Sequence, residues 1–402
     1  MSNKIIRGID LLLHGKLIKK IKSKRLAKWR RSVVESTEVD PYKVFFLTFQ
    51  GKYTCNPKAI ADEFISRDAG YKLIWAIRRE NESETEFYPK ELILGVRHSK
   101  ELYEHLATSK FIIQNANDTA YLKLIKRPEQ VVIQTWHGSL GFKRLDVKNV
   151  GTEKWLRRAL KAYNDTDYII SNSTFENEVY RTSFWPDTTI LEYGHPRNDI
   201  LFDQKKSKLA KDKVFEQLKI PPNKKVALYA PTFRLDTENT SVYNLDYGML
   251  LNALTQRFGG EWMLIVRYHF KMRNKDRASA TKNVVDATSY YDMQELLCAA
   301  DIGITDYSSW ICDYALTKKP GFLFADDIED YVDERGFYYP LSETPFPLCK
   351  TTADLVDSIH RFDDSRYQEA LSAFLEKRGC FEDGNASKRI VDKIMEINAE
   401  RS

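Results

Sequence analysis

At 402 residues the chain is long for one domain, and with hydrophobic residues at 43% and aromatics at 12% it can build real cores, which excludes global disorder. Its five cysteines (Cys55, Cys298, Cys312, Cys349, Cys380) are odd in number and scattered without a C-x-x-C spacing, so they indicate neither a zinc site nor a disulfide framework and fit a reducing compartment. The net charge of +5 is modest but unevenly spread.

Residues 4–31 hold eleven Lys/Arg against the single acid Asp10. Ile6, Ile9, Leu13, Leu17 and Ile21 recur there at spacings of three and four, the apolar stripe of a helix. A basic amphipathic helix reads first as an anchor on an anionic membrane surface. The same stripe would also serve to dock on the body of the protein. A nucleic-acid arm is disfavoured, because no second basic segment of similar density follows, and no nucleic-acid partner is expected. No apolar run approaches the roughly 20 residues of a membrane span. Leu11-Leu12-Leu13 is too short for a cleavable signal, so a cytoplasmic, peripheral protein is expected.

Beyond this segment, "KVFFLTFQ" (43–50), "YKLIWAI" (71–77), "KFIIQNA" (110–116), "QVVIQTW" (130–136) and "DYIISNS" (167–173) are short apolar runs that end in polar residues. Helical segments follow several of them, among them one starting at "CNPKAIADEF" with Asn56 as cap and Pro57 at its first position, and others at 101–108 and 175–181. A charged stretch with a Pro pair, "KKSKLAKDKVFEQLKIPPNKK", reads as a linker helix. A second series then runs through "KKVALYAPTF", a helix at 246–258, "EWMLIVRYH", "NVVDAT", a helix at 291–301, "IGITDYSS" and "GFLFAD". Strands alternating with helices predict βαβ units and parallel sheets. The expected organisation is a basic segment (1–40), two Rossmann-like domains (41–205 and 206–350) and a helical tail (351–402).

The polar groups gather at predicted strand ends. His137 follows Val131-Val132-Ile133 in "IQTWHGSLGFKR", where an imidazole taken alone reads first as an incidental strand-end residue. Ser171-Asn172-Ser173 and "GHPRND" (194–199) end two further runs. In the second series Thr232 and Arg234, then His269, Lys271 and Arg273, then Asp306-Tyr307-Ser308-Ser309 do the same. Open parallel sheets bind ligands beyond the carboxyl ends of their strands, so these clusters predict a cleft between two domains. Ser308 and Ser309 at a helix entry suit a diphosphate, though an ordinary helix cap needs no ligand. Glu295, one helix turn from Asp292, could accept bonds from ribose hydroxyls or face solvent. No P-loop and no G-x-G-x-x-G fingerprint is present.

"QTWHGS", "ISNS", "GHPRND", "YAPTFR", "RYH" and "DMQELLCAADIGITDYSSWICDYALTKKP" together resemble the motif series of the CDP-glycerol glycerophosphotransferases, the enzymes that prime or polymerise glycerol-phosphate chains in teichoic acids and related capsular polymers. The resemblance runs in order from about residue 43 to 345. It implies a GT-B-like α/β fold of two Rossmann-like domains facing a cleft, CDP-glycerol as donor with release of CMP, a lipid-linked polyprenyl acceptor, the cytoplasmic face of the cell membrane, and neither cofactor nor catalytic metal. His137 matches the proposed general base and His269 a second catalytic His at the donor phosphates. Arg273, Ser308, Ser309 and Asp313 match the phosphate-binding block, while Thr232, Arg234 and Glu295 are the candidate nucleotide contacts. Ser139-Leu140 after "WHG", "RYHF", and His195 in "GHPRND" depart from the commoner pattern, beside the acceptor and donor sites. A chain of this length resembles the short, single-addition members. A CDP-ribitol enzyme, a nucleotide-sugar transferase of the same fold and a non-catalytic membrane adaptor are the alternatives.

Overall fold

The structure, a computed structural model, describes residues 20–141, 143–144, 153–232, 244–268, 282–328 and 336–400. In the first half the apolar runs form β1 (Asp40–Leu47), β2 (Lys72–Ile77), β3 (Leu92–Val96), β4 (Ser109–Gln114), β5 (Val131–Gln134), β6 (Tyr168–Ser171) and β7 (Thr189–Glu192). They pair in the order β3-β2-β1-β4-β5-β6-β7, and each pairing is parallel. A parallel sheet is covered on both faces, which is why its strands are continuously apolar. In β1, Val44 and Phe46 enter one core and Phe45 and Leu47 the other. Two strands escaped the sequence reading. β3 is broken by Gly95, where Leu102 leaves no room for a side chain, and β7 is an edge strand with only Leu191 buried.

The second sheet comprises β8 (Lys225–Tyr229), β9 (Trp262–Val266), β10 (Val284–Asp286), β11 (Ile302–Thr305), β12 (Gly321–Phe324) and the two-residue β13 (Leu348–Cys349). Its order is β10-β9-β8-β11-β12-β13, again parallel. Strand order reverses between β1 and β4 in one sheet and between β8 and β11 in the other. Such switch points open the crevices in which ligands bind.

The linker segment is a helix, Gln204–Gln217, capped by the Asp203 side chain, and its Val214 and Phe215 belong to the second core. The tail divides its helices between the two halves. Leu355 and Ile359 of the helix Thr352–His360, and Leu371 and Phe374 of Asp364–Lys377, pack in the second core. The last helix, Ala386–Ala399, returns to the first and buries Ile390, Val391, Ile394 and Ile397 there. Arg67 anchors it through Asp392 at 2.6 Å. Ile394→Ala is expected to cost about 2–5 kcal/mol of unfolding free energy, because the site is fully buried and cannot collapse freely. Equilibrium denaturation in urea would measure it.

The basic helix is described only over 20–36; Ile6, Ile9, Leu13 and Leu17 lie outside the described residues. Its later part docks on the body. Val33 is buried, Trp29 and Val34 pack on the same cluster, and the Trp29 and Tyr103 rings lie 5.6 Å apart. Residues 20–28 are exposed. Among the described residues no helix is long and apolar enough to cross a membrane.

Candidate active site

The helix expected to start with an Asn56 cap instead spans Cys55–Ser66 with Thr54 at its N-cap, leaving Asn56 inside the helix. The Asn56 side chain works at longer range. Its Nδ2 donates to the carbonyls of Thr135 at 3.0 Å and Trp136 at 3.3 Å, while its Oδ1 accepts from the Arg197 amide at 3.1 Å. These bonds grip the turn that follows β5. Trp136 sits there at φ +50°, a left-handed conformation that a bulky side chain rarely adopts. Gln134 Oε1 completes the grip by accepting from the Trp136 amide at 2.9 Å. Strain of this kind persists where surrounding bonds over-determine it, and here it turns the next residue, His137, into the cleft.

His137 Nδ1 lies 2.6 Å from the Asn115 carbonyl oxygen at the end of β4. A carbonyl only accepts, so Nδ1 carries the hydrogen and Nε2 keeps its lone pair. The ring meets the water of the cleft, yet protein surrounds it closely, with Trp136 tilted against it at 4.5 Å and Phe49 stacked at 6.0 Å between centroids. That desolvation lowers its pKa below the usual imidazole value; the bond to Asn115 opposes the shift and nearby Arg197 adds to it. The neutral form therefore dominates at neutral pH. If His137 is the base, the acid limb of the rate profile falls with a midpoint below about 6.5, the unperturbed value. A pH–kcat/KM profile would measure it, and activity is retained at pH 7 and lost as pH drops through that pKa.

The loop continues into the other domain. Leu140 is buried in the second core, its carbonyl accepts from the Tyr339 hydroxyl, and Gly141 lies so close to Ser309 that a side chain would collide with the Ser309 Cβ. His137, Thr232, Ser308, Ser309 and Asp313 thus line one cleft of about 550 Å³, joined by Lys52, Arg197 and Arg267. A cleft of this size suits a nucleotide-sized ligand.

On the second-domain wall, Thr232 is bound to Asp306 through its amide, at 2.9 and 3.0 Å, and through its hydroxyl, at 2.7 Å. Asp306 therefore orients the loop after β8 against the loop after β11. Ser308 and Ser309 are half-buried, and Ser309, at the N-cap of the helix Trp310–Ala315, makes no capping bond with its side chain. The helix has only six residues, so its dipole contributes less than the sequence reading supposed, and the hydroxyls and cations carry more of any anion binding.

Asp313 is buried, and its oxygens accept from Arg197 Nε at 2.9 Å, Asn198 Nδ2 at 3.0 Å and Gln294 Nε2 at 3.2 Å. Its carboxylate is thus engaged by three side chains of the protein. Arg197 is the residue that the motif reading passed over. It ion-pairs with Asp313 and also donates to the Gly138 carbonyl beside His137, joining the loop that carries His137 to the helix Trp310–Ala315. Burial opposes its charge, but Asp313 holds its pKa above the usual range.

Glu295 needs correction. It is buried off the cleft wall, with one oxygen 2.7 Å from Lys213 Nζ and the other accepting from Tyr290 at 2.8 Å. Its helix face packs against the linker helix, so the expected ribose contact is not open to it. His195 is fully buried and bonded to Glu176 at 2.9 Å. Beside it, burial pushes the Glu382 carboxyl up to about 7, although His195 and bonds from Asn198 and Asn172 pull it down. Arg234, His269, Lys271 and Arg273 lie outside the described residues.

The family model described as "CDP-Glycerol:Poly(glycerophosphate) glycerophosphotransferase" matches residues 29–396. The chain belongs to that glycerophosphotransferase family. Among its relatives, the "Teichoic acid poly(glycerol phosphate) polymerase" of Staphylococcus epidermidis is 32% identical over 415 residues, covering 98% of this chain and 57% of the relative. The protein of the same description from Bacillus subtilis (strain 168) is 30% identical over 395 residues, with coverage of 94% and 52%. The chain thus spans little more than half the length of these two relatives. A "Teichoic acid ribitol-phosphate primase" of Bacillus spizizenii is 30% identical over 301 residues, covering 72% and 76%. Among solved structures, the H548A variant of the wall teichoic acid polymerase TagF superposes with a TM-score of 0.81 at 30% identity, over 100% of this chain and 99% of that one. A variant of TagF soaked with CDPG gives 0.81 at the same identity, covering 97% and 99%. A glycosyltransferase of Arabidopsis thaliana, UGT89C1 complexed with UDP, shares the GT-B-like fold alone at 0.51 and 12%, over 89% and 100%.

Proposed function

We propose that this protein transfers glycerol phosphate from CDP-glycerol to a hydroxyl of a lipid-linked acceptor in teichoic acid or capsular polymer synthesis, releasing CMP. The observation that carries the reading is His137. Its Nδ1 is committed to the Asn115 carbonyl, its Nε2 is open, and it shares a cleft with Ser308, Ser309 and Arg197. The acceptor oxygen attacks the β-phosphorus of the donor, and its proton passes to His137 Nε2. The bond from that phosphorus to the CMP oxygen breaks, and CMP leaves with the electron pair. Ser308, Ser309 and the cleft cations meet the charge on the transferred phosphoryl group. His269 and Arg273 are proposed to add to them, and Thr232 and Arg234 to flank the nucleotide.

The basic helix holds the enzyme at the anionic cytoplasmic face of the membrane, where the lipid-linked acceptor lies. The docking of Trp29 and Val33 fixes its later part to the first domain and leaves residues 20–28 exposed to such a surface. The similarity to a ribitol-phosphate primase supports CDP-ribitol as the second donor reading. Nucleotide release from CDP-glycerol, CDP-ribitol and a UDP-sugar by the purified full chain, with a prenyl-diphosphate disaccharide in anionic vesicles, tests the proposal. CMP from CDP-glycerol well above the other two is the expected result. Preference for CDP-ribitol would favour the second donor, and UDP release alone would refute both.

A further inference from the structure

Two of the polar clusters at strand ends, Ser171-Asn172-Ser173 and residues 194–199, reach the donor cleft only through Arg197. The amides of Asn172 and Asn198 meet instead at Glu382, in the segment that carries the chain from the second core back to the first. The backbone of this segment is fastened to the first domain. The amides of Thr174 and Phe175 donate to the carbonyls of Gly379 and Arg378, both at 3.1 Å, and the Phe381 amide donates to the Asn172 carbonyl at 3.0 Å.

Glu382 Oε1 accepts from Asn198 Nδ2 at 2.8 Å and from Asn172 Nδ2 at 3.2 Å, and Oε2 accepts from the His195 amide at 3.1 Å. Gly194 makes room for it, at φ +85° and with a Cβ position only 2.8 Å from Oε2. Each asparagine spends its second N–H elsewhere. Asn172 donates to Ser139 Oγ at 3.0 Å, two residues beyond His137. Asn198 donates to Asp313 Oδ1, also at 3.0 Å, on the helix Trp310–Ala315. Their own carbonyl oxygens accept from Ser173 Oγ and Gln294 Nε2, which sets the way each amide faces. A primary amide has two donor hydrogens, so one oxygen of Glu382 fixes the direction of both remaining bonds.

We infer that Glu382 is a positioning residue for the transfer reaction: it lines no part of the donor cleft and acts by holding Asn172 against Ser139, which fixes the loop that presents His137. The inference rests on the glycerophosphate-transfer reading of that cleft. The bonds also say which wall depends on Glu382. Asp313 keeps Arg197 and Gln294 when Asn198 is released, so the donor side stays in place. Among the described residues, Ser139 Oγ has Asn172 as its one hydrogen-bond partner. Burial pushes the Glu382 carboxyl up to about 7, but a protonated carboxyl still offers a carbonyl oxygen to both amides. The positioning therefore persists across neutral pH and leaves the acid limb to His137.

Single-turnover CMP release at saturating CDP-glycerol tests it in the full chain and in its Glu382→Leu, Glu382→Gln, Ser139→Ala and Glu382→Leu/Ser139→Ala variants, with amide hydrogen exchange followed over residues 136–141. Glu382→Leu slows the rate constant about 10–100-fold, as for a reacting group displaced by up to about 1 Å. The KM for CDP-glycerol stays within about threefold, and exchange in the loop rises. Glu382→Gln keeps an oxygen for both amides and recovers most of the rate. The double variant is no slower than Glu382→Leu, because both changes break one path. A merely structural loss would lower the amplitude of the turnover and leave its rate constant unchanged. If Glu382→Leu does not fold, Ser139→Ala decides, since it breaks only the last link and slows the rate constant several-fold. A wild-type rate constant in Glu382→Leu or in Ser139→Ala, or independent losses that multiply in the double variant, would overturn the inference. Faster loop exchange in Glu382→Leu with no CDP-glycerol turnover by the wild type would sink the glycerophosphate reading and leave the positioning role standing.

Discussion

His137→Ala should reduce CMP release from CDP-glycerol by more than about 10²-fold while leaving donor affinity nearly intact, since a positioned general base typically contributes 10²–10⁴ in rate. The separation follows from the geometry. The imidazole hangs from a first-domain turn held by Asn56 and Gln134, whereas Ser308 and Ser309 stand on the second domain. Asn56 grips backbone carbonyls, so removing the ring leaves the turn tied. Single-turnover kinetics at saturating donor would read the chemical step without product release. A near wild-type rate would remove His137 from the mechanism.

Arg197→Ala should be the most damaging change outside the reacting groups. Arg197 is buried with Asp313, and its loss leaves an uncompensated buried carboxylate, worth about 3–5 kcal/mol of stability. It also frees the Gly138 carbonyl, so the loop carrying His137 loses its tie to the helix Trp310–Ala315. Misplacement of a reacting group by about 1 Å costs on the order of 10²-fold in rate. Arg197→Met combined with Asp313→Leu separates the two effects. Thermal unfolding of that pair should recover most of the lost stability, because replacing both partners of a buried ion pair is often close to neutral. Its turnover should stay low. Full recovery of rate in the pair would show that Arg197 acts through folding alone.

Much of the cleft was legible because its groups sit at the ends of apolar runs, and in parallel sheets those ends converge. His137, Thr232, Ser308 and Ser309 are found that way, each just beyond the last residue of β5, β8 or β11. What stayed hidden depends on pairs distant in sequence. Arg197 and Asp313 are 116 residues apart, and nothing local in "GHPRND" marks its arginine as the tie between domains. Glu295 was misplaced for the converse reason: helical spacing gives its face but not the neighbour packed there, which is the linker helix with Lys213. The terminal helix shows its amphipathic pattern plainly, while the choice of the first core over the second follows only from packing. The Asn56 signal was real but misread, since a side chain of capping type reaches across to the turn after β5 instead.

The most direct test of the account is to follow donor binding and turnover in the same preparation of the His137→Ala protein, by calorimetric titration with CDP-glycerol and by CMP release. The predicted result is a dissociation constant within a few-fold of wild type with CMP release more than about 10²-fold slower. Wild-type turnover in that variant, or loss of donor binding with the fold intact, would contradict a cleft in which the first domain supplies the base and the second holds the diphosphate.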